Sequence, residues 1–592
     1  MVRIRGITVI LLAALLVLAS LAEAQNVRPS TQVDIGTAVP AYRPSVDSDG
    51  NLTAIVYNAD IFSGLYVTRS DGRGINWTTP VRIDADPLNT AKYPQFDSCV
   101  VVDNRIFAAW EDERNGAANE DVYFNYSNDG GITWMGEAWI DKGYPAGTGV
   151  VRDWRFEVSG DNVYVLITVD PNGSSEEELY LVASHDGGLN FQAPVFVPQG
   201  FTPGLFDIDY FAMAVEGLTV HVVWQDDRAG SSIFNDVFYQ KSIDGGSTWL
   251  ASDNQVDTSG PLVGDANGDM HAIAMGNLVA VGWLEELTSS SFEEVRVNVS
   301  PNGGATWNGD VMVGTYDPIF QDVDGVWLAL GDAGGTTSIA CTWRHPIGGI
   351  DEVFVATSLD NGATWPYETQ ISTIGGSYAR FPRIDEIPLT LAVTFSTGDS
   401  PNRSETAYSN DGGQTWTTLQ TSTTTGDADY CEIGFNVDYN NVICAWLSDD
   451  LGASNRNNVF TGGFRAQTLT PVGAFSAGSM VNFEISNWPM NAGDPEFAVV
   501  ASASEGSFLL PFGDGRNTGL TYDAYMRMSI NQIPGLLTGT ILTDGTGSTQ
   551  PFPFPASVPP GTTIYLIGIG LDTNITPYPL GAMTDIVTEV VQ

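Results

Sequence analysis

The sequence predicts an all-β fold, assembled from repeated four-stranded units closed into a ring, and three observations predict it. The octapeptide S-x-D-x-G-x-T-W returns along the chain at nearly constant spacing. Around each copy the same order of strand-like runs returns. The last such unit lacks a fourth strand, while an unassigned strand-like segment stands before the first unit. A fixed period of this length means stacked or circular supersecondary units, none able to bury its apolar face alone.

The octapeptide is intact from Ser127, Ser242, Ser358 and Ser409. Degenerate copies begin at Ser70 (Gly72 in place of Asp), Ser184 (ending Asn190-Phe191) and Ser300 (Asn302 in place of Asp). The seven serines are 57, 57, 58, 58, 58 and 51 residues apart. Ser and Asp side chains can accept hydrogen bonds from nearby backbone N–H groups, paired glycines supply positive φ for a tight turn, and the closing Trp folds back as an apolar plug. The motif resembles the Asp box, or BNR repeat, of the sialidase superfamily, where it joins the third and fourth strands of a propeller blade. The resemblance spans about residues 30 to 466 and implies a β-propeller; fold alone does not imply an activity.

The second unit shows the pattern. Strand-like runs cover Phe96–Val102, Arg105–Trp110 and Val122–Tyr126, the box turns the chain, and a fourth run lies near Glu137–Ile140. The same order restarts near Arg43, Trp154, Asp209, His271, Asp324 and Arg383. An eighth unit holds Cys431–Val437, Val442–Trp446 and Val459–Phe464, with neither box nor fourth strand. Gln32–Ala38 is the natural donor of that missing strand, since pairing it there would close the ring and remove two exposed edges. Eight blades are expected, with seven as the alternative count. Strand alternation puts the boxes and the first hairpins at one end, and the loops between second and third strands at the other, here called the mouth.

Other segments bound the domains. Residues 1–24 read as a secretory signal: Arg3 and Arg5, an apolar run from Ile7 to Leu21, then Ala22-Glu23-Ala24. The propeller is expected over 25–466. Residues 467–592 change character, with 10 acidic and 2 basic residues and no box, and read as a small C-terminal β-sandwich resembling accessory or surface-attachment domains of exported bacterial proteins. Without the leader the chain carries 22 basic and 70 acidic residues, with lysine only at Lys92, Lys142 and Lys241. Such a surface repels nucleic acid and anionic membranes. No further apolar run is long enough to span a bilayer. Acidic loops suggest bound calcium, yet Asp265-Ala-Asn267-Gly-Asp269, the best match, lacks the following Gly and distal Glu of an EF-hand loop, so no cofactor and no metal site is assigned. Cys99, Cys341, Cys431 and Cys444 read as buried thiols; a turn near Tyr439-Asn440 would set Cys444 opposite position 435. The four histidines, His185, His221, His271 and His345, fall in different units without zinc-ligand spacing.

The sialidase resemblance implies a constellation: three arginines on a sugar carboxylate, an acid/base Asp, and a Tyr nucleophile activated by a Glu. Guanidinium forks grip carboxylates bidentately, and a neutral phenol approaches an anionic anomeric centre better than a carboxylate does. Carried over residue by residue, Arg43 in Ala41-Tyr42-Arg43-Pro44, Arg344 after Trp343 and Arg403 before the last box match the arginines; Asp60 matches the acid/base and Tyr430 the nucleophile. No Glu opens a first strand, so Asp322 (or Asp324) would have to serve as activator. The family ring has six blades, which spreads these residues around a wider mouth here. Arg155, Arg228 and Arg383 are brought to the same mouth, with Asp112, Asp207 and Asp226 beside them. Rim pairs between such groups contribute little and are equally a structural pattern. Three functions follow: an exported propeller that binds extracellular glycan or protein without cleaving it, an exo-α-sialidase or related glycosidase, and a structural surface component.

Overall fold

The computed structural model describes the chain from residue 28 on, apart from residue 29, interruptions of one to nine residues, and a longer one at 504–536. The signal at 1–24, Asp60 and Asp322 lie outside the described residues. Among the described residues every regular element is a strand. Eight antiparallel sheets, I to VIII, follow one another in chain order. Their first strands are Tyr42–Asp49, Cys99–Val102, Val150–Ser159, Phe211–Glu216, Asp265–Met275, Asp324–Asp332, Ala379–Ile387 and Ala428–Asn436. In sheets I to VII each is followed by three more strands in order, in sheet VIII by two, and sheet II adds Lys92–Tyr93 beside Arg105–Asp112. First strands of successive sheets pack against one another, and the strand of sheet VIII packs against that of sheet I. The first strands therefore line an axis. The fourth strands lie outermost.

The N-terminal segment supplies the fourth strand of sheet VIII. Thr31 and Gln32 pair with Thr461 and Phe460, and the Arg28 and Val33 amides donate to Gly463 and Val459. The pairing begins earlier than the expected Gln32–Ala38, of which 35–38 lie outside the described residues. Asp34 extends it by accepting from the Val459 amide at 2.8 Å.

Why the sequence builds these sheets is visible in the second strands. Leu52–Asn58, Thr390–Thr397 and Asn441–Ser448 are buried at every residue, because each is covered on both faces by neighbouring sheets. Their apolar runs are accordingly almost continuous rather than alternating. The interlayer cores join consecutive sheets: Phe107 and Phe124 of sheet II meet Trp154, Phe156 and Val165 of sheet III. The largest fully buried side chains include Trp110, Trp154, Trp224, Trp283 and Trp446, all outside the octapeptide. The box indoles Trp134, Trp249, Trp307, Trp365 and Trp416 are half-buried, packed by one side against a core cluster.

The boxes work as their chemistry requires. Ser127 Oγ accepts from the Gly131 amide at 2.7 Å, and Asp129 takes the Thr133 amide and hydroxyl at 2.8 and 2.6 Å. The Gly130 amide donates to Asn104 O in the first hairpin of the same sheet, so boxes and first hairpins do share one end.

Nine described strands between Thr468 and Val590 form a further sheet, with a core of Phe475, Phe483, Phe497, Phe554 and Leu566 among others. All four cysteines are free and buried. Cys444 lies opposite Ile433, not position 435, because the connection after Asn436 is closed by the Asn436–Asn441 pair. Asp265–Asp269 runs into the strand Asp265–Met275 instead of forming a loop, and among the described residues no group of three His, Cys, Asp or Glu is arranged to hold a metal ion.

Candidate functional site

Several arginines expected at the mouth act as clasps. In sheet IV, Trp224 Nε1 donates to Asp226 Oδ2 at 2.8 Å, Arg228 Nε grips Asp226 at 2.8 Å, and Arg228 Nη1 reaches Asp253 at 2.7 Å beside the fourth strand. The Arg228 guanidinium also lies 3.7 Å from the Phe238 ring centroid and 4.4 Å from that of Phe201. Sheet II repeats the device with Trp110, Asp112, Arg114 and Glu137, the Arg114 guanidinium 3.9 Å over Tyr123. Asp253 and Glu137 accept in addition the Gln199 and Ala85 amides of the preceding sheets, at 2.8 and 3.0 Å. The W-x-D-x-R repeats thus fasten each second strand to its own fourth strand and to the sheet before. Asp207 caps the Glu177 amide at 2.8 Å.

The structure does not bring Arg43, Arg344 and Arg403 together. Arg344 is buried and pairs with Asp351 at 3.1 Å, an acid that also accepts from Arg380 at 2.6 Å. Arg403 donates to Gln420 at 3.4 Å on a third strand, away from the axis. Tyr430 does lie on a first strand, where its ring stacks on Phe381 with centroids 5.4 Å apart.

Arg43, Arg155 and Arg383, by contrast, line one cavity of about 250 Å³ formed by first strands of sheets I and III to VII. Asp153, Glu157, Asp269, His271 and Trp327 complete its polar and aromatic lining. Arg155 is held by Asp153 at 2.8 Å yet keeps 37% of its side chain exposed. Arg383 reaches Glu432 at 3.4 Å, donates to Pro382 O at 2.9 Å and lies 4.1 Å over the Trp327 ring. Asp269 accepts from the Gly325 amide at 3.0 Å, tying sheet V to sheet VI.

His271 lines the same cavity as the arginines. Its ring is 4.7 Å from that of Trp327, and its Nδ1 accepts from the Leu328 amide at 3.3 Å, which places the proton of the neutral ring on Nε2. Burial pushes its pKa down to about 3, with the positive charges of Arg383 and Arg155 adding to the effect. The cavity therefore holds guanidinium and imidazole donors, carboxylate acceptors and one indole face. That combination suits a polyhydroxylated ligand, whose groups both donate and accept.

Sequence reasoning named Arg43, Arg155 and Arg383, weighed Asp269 only for calcium and His271 only for zinc, and passed over Asp153, Glu157 and Trp327. The signal available was positional. Each sits on a first strand, and in a ring those strands alone reach the axis.

A BNR/Asp-box repeat family model matches residues 407–418, which contain the last octapeptide. The chain carries the Asp-box repeat. No curated protein sequence matches it. Among solved structures it is similar to the Hadza microbial sialidase Hz136, at 15% identity over 58% of this chain and 73% of that one, with a TM-score of 0.33. It is similar to the polysaccharide lyase Uly1, at 9% identity over 74% of this chain and 99% of that one, TM-score 0.42. A protein of unknown function from Dyadobacter fermentans is similar at 14% identity over 74% of this chain and 99% of that one, TM-score 0.36. In the matched box the structure shows the full set of turn bonds, from Ser409 Oγ taking the Gly413 amide at 2.8 Å to Asp411 taking the Thr415 hydroxyl at 2.6 Å. The Asp-box carboxylates are thereby committed to turns at the end opposite the mouth. Among the described residues, no helix is long and apolar enough to cross a membrane.

Proposed function

We propose that this chain is an exported eight-bladed Asp-box propeller that binds an extracellular glycan at its axial cavity without cleaving it, and that residues 467–592 are a β-sandwich accessory domain. The carrying observation is the cavity lining: Arg43, Arg155, Arg383 and the Nε2–H of His271 as donors, Asp153, Glu157 and Asp269 as acceptors, and Trp327 as an apolar face. An acidic sugar is the favoured end group, since guanidinium groups bind its carboxylate with geometry as well as charge. The cyclic packing of eight first strands supports the blade count. The apolar leader supports export.

The pairing of Arg344 with Asp351 and of Arg403 with Gln420 favours binding over exo-α-sialidase chemistry, because two of the three expected carboxylate-gripping arginines are engaged elsewhere. Calorimetric titration of the mature protein with N-acetylneuraminate and with D-glucuronate tests the reading. Binding of at least one sugar is expected, weakened roughly tenfold or more in Arg155→Ala. Absence of binding to both overturns it. A fluorogenic sialoside should give no turnover; measurable hydrolysis, lost in Tyr430→Phe, would restore the catalytic alternative.

A further inference from the structure

Three bulky side chains occupy backbone that normally belongs to glycine. Arg43, Phe381 and Tyr430 have φ of 39°, 57° and 52°. Each lies at a register shift near the start of a first strand, in sheets I, VII and VIII. Sheet VI has the same irregularity, and there Gly325 takes φ of 73°. Left-handed backbone disfavours a Cβ, so the glycine of sheet VI is the unstrained solution to one shared bulge. Strain retained at three equivalent places in adjoining sheets points to work done by those side chains.

Two of them form one surface. The rings of Phe381 and Tyr430 lie 19° from parallel. Tyr430 is half-buried and anchored on the core cluster between sheets VIII and I. Phe381 rests on it with 39% of its surface exposed, and no other ring or guanidinium covers it among the described residues. Phe381 thus stands two residues from one lining arginine, and Tyr430 is carried by the first strand that packs between those of Arg383 and Arg43.

Resting on the glycan reading above, we propose that Phe381, backed by Tyr430, is a stacking platform for the second sugar ring of an oligosaccharide whose terminal sugar occupies the axial cavity. One face of a pyranose presents a set of weakly positive C–H groups, which complement the negative face of an aromatic ring. Its hydroxyls project from the edge and stay hydrated, so the contact asks for a flat apolar surface beside a polar cavity. The strained bulge supplies that placement, because the left-handed residue turns its side chain out of the alternation that would otherwise bury it.

The test compares single sugars with the oligosaccharides that end in them: N-acetylneuraminate with 3′-sialyllactose, and D-glucuronate with cellobiouronate. Titrations use the mature chain, its Phe381→Gly variant and its Phe381→Trp variant. In the parent, at least one oligosaccharide should bind roughly five- to tenfold more tightly than its end sugar. Phe381→Gly should erase that advantage while leaving the single sugar's affinity unchanged, and Phe381→Trp should keep it. Phe381→Gly should also melt at or above the parent temperature, since glycine relieves the backbone, so lost binding cannot be lost folding. Equal affinity of single sugar and oligosaccharide in the parent, or an advantage that survives Phe381→Gly, overturns the platform and leaves the cavity reading standing. Binding of none of the four probes overturns both. A preference of the platform for an aromatic peptide such as Trp-Gly-Gly, competing with none of the sugars, overturns the sugar assignment alone.

Discussion

The two ends of the same sheets treat their carboxylates in opposite ways. At the box end, Asp129 is held down at about 2, chiefly by the Thr133 hydroxyl and then by backbone N–H groups, and Asp186, Asp244 and Asp360 are lowered by the same kind of partner. At the mouth end, burial pushes Asp141 up to about 7, Asp236 to about 6 and Glu285 to about 7, with the neighbouring acids Asp121, Asp257 and Asp310 adding to it. The same chemical group is a satisfied turn-former at one end and a buried, proton-holding group at the other. What differs is solvent and donors, since the box offers several N–H and O–H groups to an exposed carboxylate while the mouth packs acid against acid. The box end is thus built for stability. The mouth end gives some up.

The largest effect expected from breaking the box end comes from its second glycine. Gly246 has φ of 85°, and a Cβ there would stand 2.2 Å from Leu181 Cδ2 in the core of the preceding sheet. Gly413 repeats the arrangement against Thr357 of sheet VI, at 2.1 Å. Gly246→Ala therefore combines a left-handed Cβ with overpacking and should cost about 3 kcal/mol, read by denaturant unfolding. A change below about 1 kcal/mol would mean that the box does not fasten sheet IV to sheet III.

At the mouth end the sign reverses. An unfolded carboxyl group ionises near pH 4, whereas Asp141, Asp236 and Glu285 keep their protons in the fold until about pH 6 to 7. Between those limits the folded chain binds more protons, so stability falls as pH rises through the window. Melting temperature should decline from pH 5 to pH 8. Asp141→Asn keeps an acceptor for the Val122 amide, now 3.2 Å from Asp141 Oδ1, and discards the charge. It should be stabilised by about 2 kcal/mol over the parent at pH 8 and by much less at pH 5. A parent whose stability climbs steadily from pH 5 to 8 would contradict this picture of the mouth.

The two ends were also unequally legible in the sequence. The box end could be read because its chemistry is local: Ser127, Asp129, Gly131 and Thr133 meet within one turn, and the spacing of the copies carried the ring with it. The closing strand was legible from a missing partner, though its register at Thr31–Gln32 was not, since two pairing positions leave little pattern to read. The mouth is assembled from different sheets. Arg43, Arg155, His271 and Arg383 lie far apart in the chain and meet only through the ring axis, while Arg228, alike in its sequence setting, folds back onto Asp253. Whether an arginine lines the cavity or clasps its own sheet depends on its strand: first strands reach the axis and second-strand ends do not. Tyr430 was picked as a nucleophile by position, and the structure places its ring under Phe381.

A smaller effect is expected from the box indoles. Trp249 is half-buried against the core cluster that includes Leu181 and Val197. Trp249→Ala should cost about 1.5 to 2 kcal/mol, below the 3 to 5 typical of a wholly buried indole. Trp224→Ala, which empties a fully buried site and leaves Asp226 without its indole donor, should cost about twice as much. Denaturant unfolding of the two variants ranks them. Equal losses would show that the half-buried box indole is as firmly packed as a wholly buried one.

The smallest effect separates charge from geometry at the box end, and the chain supplies its own control. In the box of sheet V, Asn302 stands where Asp129 stands in sheet II. Asn302 Oδ1 accepts the Thr306 amide at 2.8 Å and Nδ2 donates to the Thr306 hydroxyl at 2.8 Å. Both contacts of Asp129 with Thr133 are thus reproduced by an amide, with the direction of one bond reversed because a hydroxyl can serve as donor or acceptor. Asp129→Asn should leave the melting temperature at pH 7 within about 1 °C of the parent. Only in acid should the two diverge: the support given by the lowered Asp129 carboxylate is complete above pH 4 and disappears as pH falls through about 2, while the amide does not titrate. The variant should therefore be the more resistant at pH 2, measured by the loss of sheet signal in circular dichroism. A large loss at pH 7 would show that the negative charge itself holds the turn, and the likeness of Asn302 to Asp129 would then be one of shape only.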